Sequence, residues 1–302
     1  MRAVLTRIEI LVIVVVAVLL VSLLIPFVLQ QRTAARSTLC QDRQRRLAQA
    51  MQAFDAEEGA LPGYKNLVRN DRITGWVLPI LPLLTSPDDA AVRKFQEAYD
   101  ASLSDNTGPT RFAELLCPAV AEYKREAPLA YVVNCGMPDV DGDPELPPDW
   151  QANGVCFDLT QLEPLRVRVS LDWISKHDGT KVTLLLAENV DATSWRAPHE
   201  QETGFLWAAN MEDGVPSPHP TLLAINELRG EQDYTLKFAR PSSEHRGGVN
   251  VAMADGKTQF LNERIDYLAF QRLMTSDGAH VKVPNKDEAL PEPWRYSASE
   301  GR

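Results

Sequence analysis

The sequence predicts an α+β protein in which one long N-terminal helix packs on a mainly antiparallel, β-rich globular domain. Three observations predict it. From Ile10 to Leu29 there are twenty residues without a charge, rich in Val, Leu and Ile. The text that follows, to Phe54, is rich in Ala, Leu, Gln and Arg and carries no helix stop. The later chain is a series of short apolar runs separated by turn residues, with an Asp-Gly between two alternating runs.

The helix comes first. At ~1.5 Å per residue the uncharged run is long enough for the ~30 Å hydrocarbon layer of a bilayer. A cleaved secretory signal would need only ~7–15 apolar residues, so an uncleaved anchor is expected. Beyond it Cys40, Leu47, Met51 and Phe54 share one stripe at 100° per residue, the mark of a helix with one face on a folded body. Residues 1–58 are therefore assigned to the helix, with its span at about 10–29. Residues 59–282 are assigned to an α/β domain ending in a hairpin and a helix. Residues 283–302, polar with Pro and Trp, form a poorly ordered tail.

Within the domain, Gly59 to Gly63 ends the helix. Ile73 to Leu84, apolar with two prolines, reads as a packed irregular stretch. Ser86 as N-cap, Pro87 at the first helical position and two acids start a helix to about Ser102. Strands are expected at 129–136, 153–159, 165–171, 181–190 and 204–210, and prolines 216, 218 and 220 mark a loop. His245 to Glu263 is the strongest signal, a hairpin whose Asp255-Gly256 turn is expected to hold φ > 0 at both positions. Arg264 to Met274 then has helical spacing.

The net charge of −10 disfavours a nucleic-acid binder. There is no nucleophile-elbow serine, no zinc-protease helix and no P-loop, and the five histidines lack ligand spacing, so no enzyme and no cofactor are expected. His245 is expected to pack at the hairpin start, with Asp255 making the turn; the alternative is a catalytic or metal pair. Asp139, Asp141 and Asp143 alternate and can ligate calcium, but an EF-hand's Gly and Glu are replaced by Pro144 and Trp150, so a solvated acidic loop is the expectation. The cysteines lack Cys-x-x-Cys spacing, which excludes a zinc ribbon or thioredoxin motif. If exported they would meet an oxidising compartment, and the expected pairs are Cys40–Cys117 and Cys135–Cys156, against four free buried thiols.

The N-terminal segment LTRIEILVIVVVAVLLVSLLIPF resembles that of type IV pilins and type II secretion pseudopilins. Leu5, Thr6, Ile8 and Glu9 follow the order of that family, and Pro26 stands where the family has its kinking proline. Val4 replaces the leader's last Gly and Arg7 an apolar residue, which leaves open whether the prepilin peptidase is a partner. His245, nine residues and then Asp255-Gly256 resemble the signature that closes a planctomycete-type family of prepilin-like proteins of unknown function. Leu116-Cys117-Pro118, Asn153-Gly154-Val155 and Asp178-Gly179-Thr180 before a strand ending in Glu188 resemble the same family. The resemblance implies Glu9 and Pro26 as assembly residues and His245, Asp255 and Gly256 as signature residues. It implies a single-pass inner-membrane protein with a periplasmic domain, assembling with itself or with other pseudopilins. Positive charge after the span would by itself put the domain in the cytoplasm; a long translocated domain overrides that rule. The alternative is a membrane-tethered protein that binds a solute or polysaccharide.

Overall fold

The computed structural model describes residues 7–68, 71–86, 88–103, 108, 110–139, 147–207, 209–212, 215–218, 224–227 and 239–282. Helix α1 runs unbroken over Arg7–Glu58, 52 residues, or ~78 Å. Its two halves have different surroundings. The apolar side chains from Leu11 to Val21 are exposed on every face, Leu11 by 64% and Val16 by 49%. From Cys40 onward one face is buried: Cys40, Gln44, Leu47, Ala48 and Met51, at the three- and four-residue intervals that line up on a helix. Among the described residues no helix is long and apolar enough to cross a membrane. Gly59, at φ 72°, stops the helix, and its N–H donates back to the Asp55 carbonyl at 2.8 Å.

The stretch expected to be irregular is ordered. Strand β1 (Lys65–Val68) pairs antiparallel with β2 (Arg72–Gly75), and α2 (Val77–Ile80) passes into a 3-10 turn, Leu81–Leu83. Both prolines fall in the first turn of their helical pieces, where N–H groups have no helical acceptor, so Pro79 and Pro82 interrupt nothing. Helix α3 spans Asp89–Leu103. Its start is capped by Asp88, whose Oδ1 accepts from the Ala90 N–H at 2.9 Å, while Ser86, the expected cap, accepts from the Asp88 N–H and donates to Glu114. Pro87 lies outside the described residues.

The core sheet draws on β3 (Tyr131–Gly136), β4 (Leu184–Glu188), β5 (Gly204–Leu206), β8 (Gly248–Met253) and β9 (Thr258–Asn262). Between them lie α4 (Leu171–Lys176), α5 (Glu200–Thr203) and the ribbon of β6 (Ala209–Glu212) with β7 (Val215–Pro218). Helix α6 (Tyr267–Met274) follows β9. The order is β5-β3-β4-β8-β9, antiparallel except for the parallel pair β3 and β5. The sheet is mixed, within an α+β fold. Strands β3, β4 and β8 are buried at every position, and α1 lies across β8, β9 and β4.

Two expected strands are absent. Residues 153–159 run from the end of a 3-10 turn, Gln151–Asn153, through coil to a single parallel bridge between Asp158 and Lys65, and 165–171 pass from a turn through coil into α4. Their backbone groups are satisfied singly: Cys156 N–H donates to Asn134 O, Leu159 N–H to Lys65 O, and Val169 O accepts from Leu61 N–H, all at 2.8–2.9 Å. Residues 153–158 are buried at every position and 165–171 only at Val169, so neither stretch shows the one-face burial of a strand. The reverse correction applies at β7, expected as loop. Pro216 and Pro218 are two residues apart, so their missing donors fall on one side, and a two-stranded ribbon leaves such a side unpaired. Pro220 lies outside the described residues.

The hairpin of β8 and β9 forms, with a different turn. Gly256 has φ 81°, and Asp255 is not among the residues with positive φ. Gly256 N–H donates to Met253 O at 2.9 Å and Met253 N–H to Lys257 O at 2.8 Å, the pattern of a three-residue loop with one left-handed glycine. Helix α6 starts later than Arg264, because Asp266 caps it by accepting from the Ala269 N–H at 3.1 Å. The tail, 283–302, lies outside the described residues.

Candidate functional site

Where α1 meets the sheet, four chemically active side chains converge. Cys40 comes from α1, Cys117 from the loop after the 3-10 turn Ala113–Leu115, Glu188 from the end of β4 and His245 from the loop before β8. All four are buried. The two sulfurs stand 2.7 Å apart. His245 Nε2 lies 3.4 Å from Cys40 Sγ, 3.6 Å from Cys117 Sγ and 3.2 Å from Glu188 Oε1. Cys117 Sγ lies 3.5 Å from Glu188 Oε1.

Each member is held by neighbours that the local sequence supplies. Glu188 ends a run of apolar strand residues and receives the Asn250 backbone N–H at 2.8 Å and the Asn250 side-chain amide at 3.2 Å. Asn250 is anchored in turn by α1: its Oδ1 accepts from Ser37 and Gln41, and its carbonyl from Gln44. The Cys117 loop is gripped by Tyr123, whose hydroxyl accepts from the Cys117 N–H at 2.7 Å, and by Arg43 of α1 and Tyr131 of β3, which both donate to Leu116 O. His245 N–H donates to Ser243 Oγ at 3.0 Å.

The electrostatics follow from burial and proximity. Burial opposes the charged imidazole of His245, but Cys117 and Glu188 outweigh it and hold its pKa up at about 10. Burial likewise works against the Glu188 carboxylate, yet the His245 contact and the Asn250 N–H keep it below its ordinary value. Within the sulfur pair the shared contact splits the thiols: it lifts Cys40, reinforced by burial and the Glu188 charge, and draws Cys117 down to about 7 against burial, helped by His245. The cluster thus sets a thiol pair beside the mutually stabilising His245 and Glu188. Its four donor atoms, all within 4.8 Å of one another, could also hold a metal ion.

The expected pair Cys40–Cys117 is brought together, with both present as free thiols. Cys135 and Cys156 are also free and fully buried; burial pushes both thiols up. His245 and Asp255 are not brought together: they flank β8 at opposite ends, about 20 Å of strand apart. Asp255 serves the turn, accepting from the Lys257 N–H at 3.0 Å. Of the calcium candidates, Asp139 accepts from the Tyr64 hydroxyl at 2.8 Å, and Asp141 and Asp143 lie outside the described residues. Glu9 and Pro26 lie within α1, and their side chains are not described. Sequence reasoning missed Glu188 as a site residue. The available signal was an acid at the end of the apolar run Leu184-Leu185-Leu186-Ala187, where burial demands a partner.

A family model described as Protein of unknown function (DUF1559) matches residues 30–268. The chain belongs to this family. It is a planctomycete-type family of unknown function, and the matched span contains all four residues of the cluster together with Asp255 and Gly256. No curated protein and no solved structure matches the chain.

Proposed function

We propose that this DUF1559 member is a non-enzymatic, pseudopilin-like subunit of a type II secretion or type IV pilus-like assembly. In this proposal residues 10–29 anchor it in the inner membrane and the sheet domain sits on the periplasmic side. The supporting observation is the continuity of α1: one rod carries bare apolar side chains on all faces at one end and is buried along one face of the domain at the other. Apolar side chains exposed all round a helix need lipid or protein around them. A helix without a hinge would transmit force and position from that layer to the domain. Glu9 and Pro26 take the assembly roles that the resemblance to pilins implies.

A photo-crosslinking amino acid at Val15, introduced into the full chain in membranes, tests this. Crosslinks to a second copy or to another pilin-like chain are expected. Crosslinks to lipid alone, or release of the protein from membranes by alkaline carbonate, would overturn it. In the alternative, a tethered binding protein, a solute would occupy the groove of about 630 Å³ lined by Phe54, Leu67, Pro82, Tyr99 and Arg168 among others, and stoichiometric ligand binding without self-crosslinking would favour that role.

A further inference from the structure

We propose that Cys40, Cys117, Glu188 and His245 form a closed, four-coordinate structural site for a zinc ion that fastens α1 to the sheet. The donor set is the first argument. Two thiolates, an imidazole and a carboxylate are the ligand types that zinc takes, and the two sulfurs and the ring nitrogen select against magnesium or calcium, which prefer all-oxygen shells. Four protein donors leave no open position, which suits a structural ion and not a catalytic one.

Distances are the second argument. Tetrahedral zinc with bonds of ~2.3 Å to sulfur and ~2.0–2.1 Å to nitrogen and oxygen puts its donors about 3.3–3.8 Å from one another. The separations from His245 Nε2 to Cys40, Cys117 and Glu188 are 3.4, 3.6 and 3.2 Å, and that from Cys117 to Glu188 is 3.5 Å. These four need almost no adjustment. The sulfurs, at 2.7 Å, would part by about 1 Å, and the sixth pair, Cys40 with Glu188, lies within 4.8 Å and would close to about 3.6 Å, movements that a cysteine on a helix and a cysteine on a loop can share.

The surroundings are the third. Metal ligands are oriented by a layer of hydrogen bonds behind them. Here Glu188 is held through both oxygens by Asn250, and Asn250 is held by Ser37, Gln41 and Gln44 of α1. Helix and sheet would therefore be joined twice, through the ion and through the residue that aims one of its ligands. Against a disulfide, the arrangement assigns a role to all four buried side chains, where an S–S bond would use two.

The test uses the full chain purified in detergent without reductant or chelator. One zinc per chain by elemental mass spectrometry is expected, with Cys40 and Cys117 alkylated only after chelation. Cobalt exchange should produce tetrahedral d–d and thiolate-to-cobalt bands. His245→Ala and Cys117→Ser should lose the ion, and Cys156→Ala, outside the cluster, should keep it. Because ligand variants can misfold, Asn250→Ala provides a milder probe: zinc affinity should fall about 10–100-fold. Peptide mapping that finds Cys40 joined to Cys117 in the protein as isolated would overturn the proposal. So would wild-type protein that takes up neither zinc nor cobalt, or an ion retained unchanged in His245→Ala.

Discussion

Gln44 of α1 donates its side-chain amide to the carbonyl oxygen of Asn250, 2.8 Å away in the middle of β8. Gln44 is completely buried, so this polar contact is made inside the core, between the helix and the strand that orients Glu188. Replacing Gln44 by Ala strips the acceptor of its partner where water cannot substitute. The expected cost is about 1–3 kcal/mol of stability, read as a lower urea midpoint for the full chain in detergent. An unchanged midpoint would mean that this bond adds nothing net to the other α1 contacts with Asn250.

The hairpin turn gives a second expectation. A side chain at Gly256 would adopt φ 81° and place its Cβ 3.0 Å from Gln52 Nε2, whereas Gly179, at φ 98°, has nothing within 4 Å. Both Gly→Ala variants should lose about 1–2 kcal/mol from the left-handed backbone. Gly256→Ala should lose more, and adding Gln52→Ala should recover the excess, although Gln52→Ala by itself also removes the bond to Ala254 O at 2.9 Å. Denaturation of the four proteins, analysed as a double-mutant cycle, checks this.

Stability should fall with pH through the neutral range because of Glu200. Burial, then the neighbouring Asp139 carboxylate, push it up to about 8, while the Asp139 N–H works the other way. Below the ordinary glutamate value near 4.5 both folded and unfolded chains hold the proton, and the contribution is intact. Between there and about 8 the unfolded chain ionises while the folded one keeps its proton, so stability drops by up to about 1.4 kcal/mol per pH unit. Buried Asp149 is shifted in the same direction, by burial and then by Asp139. Urea midpoints across this window should decline in the wild type, and Glu200→Gln should flatten the slope.

Ala35 lies on the exposed stretch of α1 between the bare apolar half and the docked half. Proline there removes a helical hydrogen bond and costs ~3 kcal/mol locally without touching the core. The domain's own unfolding should be unchanged, while crosslinking through Val15 should be lost if an unbroken rod is what the assembly uses. Crosslinking that survives would count against the mechanical role.

Much of the fold was legible because its signals are local. The uncharged run and the Cys40-Leu47-Met51 stripe each lie within one element, and Asp255-Gly256 placed the hairpin though not its turn type, because periodicity and turn chemistry act directly over short stretches. Alternation misled at 153–159 and 165–171, where the sequence alternates but burial does not, and only the backbone partners show that no ladder forms. The prolines of β7 misled for the opposite reason: a ribbon edge tolerates what a central strand does not.

By itself, the sequence determined that a long helix with an apolar end precedes a β-rich domain, and that Cys40 lies on the face of that helix turned to the domain. Only the tertiary structure decided that Glu188 and His245 join Cys40 and Cys117. Cys40 and His245 are 205 positions apart, and Cys117 and Glu188 are 71 apart. Their meeting depends on the placing of β4 beside β8 and the docking of α1 across them. Those arrangements are set by burying whole apolar faces at once, a collective choice that no short stretch of residues encodes.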